Sequence, residues 1–143
     1  ETLIAGAMLG LVSAALLSTM SYAAGEAAGT RARGIASTDA HAQMERIVGL
    51  LQIASNAAAT DAELCALLKA PTGPFDTSGG GAVTGTCPFL SATGIPIQGT
   101  ALRRAVSLTS EDLGAGHPGL HVRIVISGSV LLTPLDFDTH VRR

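Results

Sequence analysis

The stretch that decides the fold is the first 25 residues, ETLIAGAMLGLVSAALLSTMSYAAG, from Glu1 to Gly25. From Thr2 to Gly25 the one ionisable side chain is the phenol of Tyr22, which is neutral at pH 7. At about 1.5 Å per residue, a helix of this length spans the hydrocarbon thickness of a bilayer. The segment also contains small residues that allow close contact between helices in lipid. We therefore expect a long, apolar, membrane-inserted helix.

The composition of the chain narrows the class of protein. Its 143 residues suffice for one domain, and 47% of them are hydrophobic while only 14% are charged. This balance excludes a disordered tail. A net charge of -2 and a pI near 6.0 leave no basic surface for nucleic-acid phosphates. We therefore do not expect nucleic acid to be the main partner.

Two ordinary interpretations of the apolar segment stay open. A secretory signal peptide would carry a basic front, whereas this segment begins with Glu1 and has no Lys or Arg, although Ser21–Ala24 resembles a cleavage site. A single-pass membrane anchor explains the length of the segment. It does not explain an acid at the tip, where a carboxylate costs about 2.5–3.5 kcal/mol within hydrocarbon.

The N-terminal sequence resembles that of a known protein family. Glu1-Thr2-Leu3-Ile4-Ala5, followed by small and aliphatic residues, is similar to the N-terminal helix of type IV pilins and pseudopilins. In that family a short apolar sequence, often beginning with a methylated Phe, precedes a glutamate and then the apolar helix. The resemblance places Glu1 at this glutamate and implies a mature start a few residues upstream.

The resemblance implies that the chain is a structural subunit of a filament for adhesion, motility or DNA uptake. Its partners would be copies of itself, the membrane before assembly, the inner-membrane pilus assembly machinery and a prepilin peptidase. It would lie in the inner membrane first and then in an extracellular filament at the bacterial cell surface. The residues expected to drive assembly are the acid and the large apolar side chains of the segment: Glu1, Leu3, Ile4, Leu9, Leu11, Val12, Leu16 and Leu17.

Glu1 has a specific expected role in such a filament. A buried carboxylate is costly unless a cation pairs with it, and the N-terminal amine of a neighbouring subunit would supply that cation. The pairing would fix one axial register between subunits. Two alternatives remain within the same fold, a minor pilin and a type II secretion pseudopilin. An alternative of another class is a membrane-anchored extracytoplasmic binding domain, although a plain anchor gains nothing from Glu1.

The helix is expected to continue beyond the apolar segment. Residues 26–33 are rich in Ala, and from residue 35 the apolar positions recur at helical spacing, with Met44, Ile47, Val48 and Leu51 on one face. We therefore predict a helical spine over 1–57. It would comprise a membrane or fibre-core segment over 1–25 and an amphipathic half over 35–57.

The remaining residues, 58–143, are predicted to form a globular head. Thr60 and Glu63 fit the capping-box pattern of a short helix that ends before Pro71. Residues 71–85 are predicted to be a loop, because they hold two prolines and five glycines. The glycines 79–81 are not followed by the Gly-Lys-Ser/Thr of a phosphate-binding loop, so a surface turn is favoured.

The last third of the chain carries strand patterns. Val122, Ile124 and Ile126 alternate with polar or smaller residues and are expected to face the helix. The runs follow each other without intervening helices, which indicates an antiparallel sheet and an α+β fold of pilin-like type. The predicted strands are 95–98, 101–108, 120–127 and 130–133, with a turn at 127–129, and 136–143 is either an edge strand or mobile.

Cys65 and Cys87 are the only cysteines. In an oxidising space outside the membrane they would form a disulfide, and two buried free thiols are the alternative. Two isolated cysteines do not make a metal site.

The remaining polar residues give no pattern typical of catalysis, and we expect neither an enzyme nor a cofactor. His117 and His121 are four residues apart, but Pro118 and Gly119 exclude a helix that would bring them together. His140 with Asp136 and Asp138 is a candidate for a weak cation site, but solvated side chains are the favoured interpretation. No metal site is therefore predicted.

Overall fold

A computed structural model describes residues 2–57, 59–112 and 118–142, with backbone alone at 2–10, 112 and 118. The elements in chain order are two helices, α1 (Thr2–Asn56) and α2 (Asp61–Leu68), and five strands: β1 (Ala82–Thr86), β2 (Phe89–Pro96), β3 (Leu102–Asp112), β4 (Pro118–Gly128) and β5 (Leu135–Arg142). The strands form one sheet in the order β1-β2-β3-β4-β5, and every neighbouring pair is antiparallel. The predicted α+β class, a long N-terminal helix on an antiparallel sheet, is confirmed.

The second half of α1 attaches the helix to the sheet. Its buried residues are three, four or seven positions apart in sequence, and these spacings put them on one face of a helix. This face begins with three alanines, whose small side chains allow the backbone to lie close to the sheet. The buried face of α1 begins before residue 35 and comprises Ala32, Ala36, Ala40, Ile47, Leu51 and Ala54.

The start of α2 has the predicted capping box. The Thr60 hydroxyl accepts a hydrogen bond from the Glu63 amide at 3.3 Å, and the Glu63 carboxylate accepts one from the Thr60 amide at 2.8 Å. These hydrogen bonds from Thr60 lower the pKa of the Glu63 carboxyl. The helix ends at Leu68, before Pro71, as predicted.

The sheet presents one apolar face to α1. Val122, Ile124 and Ile126 on β4 are completely buried, which confirms the predicted alternation. β3 and β4 form the centre of the sheet, with eleven residues in each strand. The C-terminal residues form the edge strand β5, which was one of the two alternatives for that stretch.

Three strand predictions are corrected. Residues 130–133 are not a strand: they belong to the connection between β4 and β5, and β5 begins at Leu135. The predicted loop 71–85 contains most of β1, and β2 begins at Phe89 rather than at residue 95. β1 is largely exposed and therefore lacks the apolar alternation by which strands are recognised.

The glycine run 79–81 forms the turn into β1. Gly81 has a φ of +107°, and a Cβ there would lie 2.6 Å from the Thr93 carbonyl oxygen. Both the conformation and the close approach require glycine at this position. The local requirement for glycine is therefore structural, in agreement with a turn.

Asp76 organises the loop that precedes this turn. Its carboxylate accepts hydrogen bonds from the Thr72 amide at 2.6 Å and from the Ser78 amide at 2.8 Å. The bonds from Ser78, followed by that from Thr72, lower the pKa of the Asp76 carboxyl. Arg46 of α1 donates to the Thr72 carbonyl at 2.6 Å, which ties the loop to the helix.

Among the described residues, an ion pair connects α1 to the sheet. Arg104 projects from β3 on the apolar face, and its Nη1 atom donates to both carboxylate oxygens of Asp39, at 2.8 and 2.9 Å. The Arg104 side chain is 8% exposed and that of Asp39 is 19% exposed. The pair therefore fixes the position of the helix against β3 within a largely apolar interface.

Candidate assembly surface on the first helix

The first half of α1 extends beyond the sheet. Every residue from 11 to 28 is exposed, and we call this stretch the exposed apolar segment. The helix from residue 2 to residue 28 is ~40 Å long. The large hydrophobic side chains of the segment are 58–75% exposed: Leu11, Val12, Leu16, Leu17, Met20 and Tyr22.

These side chains surround the helix axis instead of forming one stripe. Successive residues are rotated by about 100°, so that the side chains of Val12, Leu17 and Tyr22 point in three directions about 80–140° apart around the axis. A helix that is apolar all round is normally buried, and each large apolar side chain contributes about 1.5–3 kcal/mol when it is removed from water. A contiguous apolar surface of this kind marks a contact with another molecule or with lipid.

Four of the eight predicted assembly residues lie on this surface. Leu11, Val12, Leu16 and Leu17 are on the exposed apolar segment. The other members, Leu3, Ile4 and Leu9, lie in the part of α1 whose backbone alone is described, and Glu1 lies outside the described residues. Among the residues searched, none of the helices combines the length and the hydropathy needed to cross a membrane.

A cleft adjoins the exposed apolar segment where it approaches the head. One wall is the helix surface around Gly25 and Gly29, and the other is formed by Val130 and Leu132 of the β4–β5 connection. The cleft has a volume of about 540 Å³, and Leu132 at its edge is 93% exposed. The two glycines leave the helix surface open, so the cleft has room for side chains of another molecule. This cleft is not predicted from the sequence, because the apolar residues 130–133 have the pattern of a strand.

Hydroxyl groups along the same part of α1 bond back to the helix. Thr19 donates to the Leu16 carbonyl at 2.9 Å, and Ser21 donates to the Leu17 carbonyl at 2.9 Å. Further along, Thr30 bonds in the same way. These contacts place a local hydrogen-bonding group beside several backbone carbonyls.

The cysteines are joined in the head. A disulfide links Cys65 of α2 to Cys87, which lies in the turn between β1 and β2, with a Cα–Cα distance of 6.0 Å. The bond connects α2 to the first hairpin of the sheet across 22 positions of sequence.

The polar residues near the C-terminus are grouped differently from the sequence expectation. Asp136 forms an ion pair with Arg123, whose guanidinium lowers the pKa of the Asp136 carboxyl. His140 lies near Asp138, as expected, but it also stacks on His121 and contacts the Glu111 carboxylate through Nδ1. Only the pairing register of β4 and β5 brings these residues together, and the sequence does not give that register.

Comparisons with known proteins do not assign this chain to a family. No family model, no curated protein and no solved structure matches it.

Proposed function

We propose that this chain is a structural subunit of a type IV pilus-like extracellular filament and that it polymerises through its apolar N-terminal helix. The observation that supports this most directly is the exposed apolar segment, because its side chains surround the helix and remain uncovered in a single copy. In a helical fibre, neighbouring copies of the same segment would cover them. The head would then form the outer surface of the fibre.

The resemblance at Glu1-Thr2-Leu3-Ile4-Ala5 is the second support. In the proposed assembly the subunit waits in the inner membrane, is matured by a prepilin peptidase and is added to the fibre by the assembly machinery. The cleft lined by Gly25, Gly29 and Leu132 would receive side chains from a neighbouring subunit.

The proposal is tested by one substitution within the exposed apolar segment and a matched one outside it. Leu16→Glu places a carboxylate on a side chain that is 58% exposed in the segment, whereas Ile53→Glu does so at a 62% exposed position beside the head. We expect Leu16→Glu to abolish the incorporation of the subunit into sheared filaments, because the charge would be buried without a partner. Ile53→Glu should be incorporated normally.

The measurement is electron microscopy of shed filaments together with mass spectrometry of their main subunit. Equal filament yield from both variants, at equal amounts of folded subunit, would contradict assembly through this helix. If filaments contain the chain as a trace component only, the subunit is a minor pilin or pseudopilin. If folded chain is found and no filament contains it, the membrane-anchored binding domain is favoured.

A further inference from the structure

Two histidines and a carboxylate meet on the outer face of the sheet, away from α1. His121 of β4 and His140 of β5 are direct cross-strand partners, and their rings stack with centroids 4.8 Å apart and an interplanar angle of 11°. Asp138 lies two residues before His140 and therefore on the same face of β5. The Asp138 Oδ2 atom is 3.5 Å from Nε2 of His121 and 3.8 Å from Nε2 of His140.

The three side chains converge, but the Asp138 carboxylate is too far from both imidazoles for a hydrogen bond. Distances of 3.5 and 3.8 Å exceed those of N–H···O hydrogen bonds. The His121 Nε2 atom is shielded from solvent and has no hydrogen-bond partner among the residues that the structure describes. A shielded nitrogen of this kind beside a carboxylate leaves a gap that a cation of suitable size would fill.

Glu111 determines which nitrogen of His140 faces this gap. Its carboxylate contacts Nδ1 of His140, so that nitrogen carries the proton of the neutral ring. The Nε2 atom of His140 is then an unprotonated acceptor directed toward Asp138. A carboxylate that holds the distal N–H of a histidine is the usual outer partner of a metal-binding imidazole.

We propose that His121, Asp138 and His140 bind one divalent transition-metal ion of the Zn²⁺ class, with Glu111 orienting His140. The ligand atoms all lie within 4.8 Å of one another. Ligands at the bond lengths of tetrahedral Zn²⁺ would be about 3.4 Å apart, so the two contacts of Asp138 are already near this value. Small rotations of these side chains, which lie on the surface, close the remaining distance, and water completes the coordination.

The donor set and the charges select the ion. Two imidazoles with one carboxylate suit Zn²⁺ and similar borderline metals, whereas Ca²⁺ and Mg²⁺ require oxygen ligands. The carboxylates of Glu111 and Asp138 offset the charge of the ion, and the nearby Arg123 is neutralised by Asp136. The bound ion would clamp the edge strand β5 to β4, independently of whether the chain forms filaments.

The test uses the full chain without a histidine tag, freed of metal with a chelator, and ZnCl₂ as the probe in isothermal titration calorimetry. We expect one Zn²⁺ per chain and a rise in Tm that saturates with the metal. Ca²⁺ and Mg²⁺ should give neither. Glu111→Gln, which keeps the shape of the side chain, should weaken Zn²⁺ binding by about 10- to 100-fold.

Variants of the histidines complete the test. His121→Ala and His140→Ala should abolish the one-to-one binding, while His41→Ala, a histidine of α1 that lies against Phe137, should leave it unchanged. Thermal unfolding of each variant without metal shows whether it is folded. Binding by the folded His121→Ala or His140→Ala variant with unchanged affinity would overturn the proposal, as would the absence of Zn²⁺ binding by the unaltered chain.

Discussion

Removing Asp39 provides a quantitative test of how α1 is held against the sheet. The Asp39 carboxylate forms an ion pair with Arg104, whose side chain is 8% exposed. The Nη1 atom of the Arg104 guanidinium donates to both carboxylate oxygens of Asp39. The Nε atom of Arg104 is also buried and has no partner among the described residues. The Asp39→Ala substitution would therefore leave a buried cation with no anion and with a donor already unsatisfied.

The size of the effect follows from the exposure of the two side chains. Removing one partner of a fully buried pair costs about 3–5 kcal/mol in the free energy of unfolding. Asp39 is 19% exposed, and a groove of about 380 Å³ along the pair admits water to the vacated position. We therefore expect a loss of about 2–3 kcal/mol, which lowers the Tm of a chain of this size by about 10 °C.

A double-mutant cycle separates the ion pair from other effects. Arg104→Met replaces the guanidinium with an unbranched apolar side chain, and we expect the Asp39→Ala/Arg104→Met chain to recover to within about 1 kcal/mol of the original. The coupling energy between the two sites should then be about 2–3 kcal/mol. Glu45→Ala, at an exposed position of the same helix, controls for the change in helix propensity.

Thermal and urea unfolding, followed by circular dichroism with the disulfide intact, measure these values. Surface substitutions usually change the free energy of unfolding by no more than about 0.5 kcal/mol. If the free energies of unfolding of Asp39→Ala and Glu45→Ala differ by less than this amount, the reasoning is refuted. Strict additivity of the two single substitutions would refute it as well.

Four further predictions concern other parts of the molecule. Glu1→Ala should leave the subunit folded but lower the yield of sheared filaments relative to membrane-bound subunit, and a normal yield would exclude pairing of Glu1 with a neighbouring amine. Mass mapping without reduction should find Cys65 joined to Cys87, and reduction should remove about 3 kcal/mol and lower Tm by about 10 °C; free thiols in extracellular protein would contradict the bridge. Because the pKa of Asp76 is lowered in the fold, its contribution is present above the pKa of the unfolded chain and is lost as pH falls below about 4. The Tm of Asp76→Asn should accordingly fall less between pH 6 and pH 2 than that of the original chain. In an assembled fibre α1 should be interrupted between Ser18 and Gly34, and an unbroken series of i to i−4 hydrogen bonds there in a near-atomic map would show this wrong.

The helices could be predicted from the sequence because their signals are local. The capping box at Thr60 and Glu63 needs only four consecutive residues, and the structure has both of its hydrogen bonds. The alternation of Val122, Ile124 and Ile126 likewise depends only on the two-residue period of a strand. Each of these patterns depends only on residues that are close in sequence, so each predicted its element correctly.

The errors arise where an element depends on distant residues. Residues 130–133 are as apolar as a strand, but they pass the end of the sheet, and the Leu131 amide bonds to the Gly128 carbonyl in a turn. β1 has little apolar character and is a strand because β2 pairs with it. Arg104 would be expected on the outer face from its charge alone, and its burial depends on Asp39, 65 positions away.

The His121, Asp138 and His140 cluster could not be predicted for the same reason. Sequence spacing separates His121 from His140 by 19 residues, and it favours Asp136 as a neighbour of His140 as much as Asp138. The register of β4 against β5 pairs His121 with His140 and Arg123 with Asp138, which decides the set. Register depends on the turn and on the buried face of both strands, and β4 continues to Gly128, where the sequence predicts a turn at 127–129.

The edges of the sheet are poorly suited to strand addition, which agrees with the proposed joining of copies through the helix. An exposed strand edge is an attachment point for other chains unless it is short, bulged or charged. β1 has only five residues, and glycines with positive φ, Gly81 and Gly85, lie near its two ends. β5 carries a row of polar and charged side chains on its outer face: Asp136, Asp138, His140 and Arg142. A second β5 added at this edge in parallel, in-register pairing would place each of these charged side chains beside its own copy, and like charges on neighbouring strands are destabilising. Copies joined through the exposed apolar segment would meet no such repulsion between residues 11 and 25, where the side chains are neutral, and the heads would remain separate on the outside of the fibre.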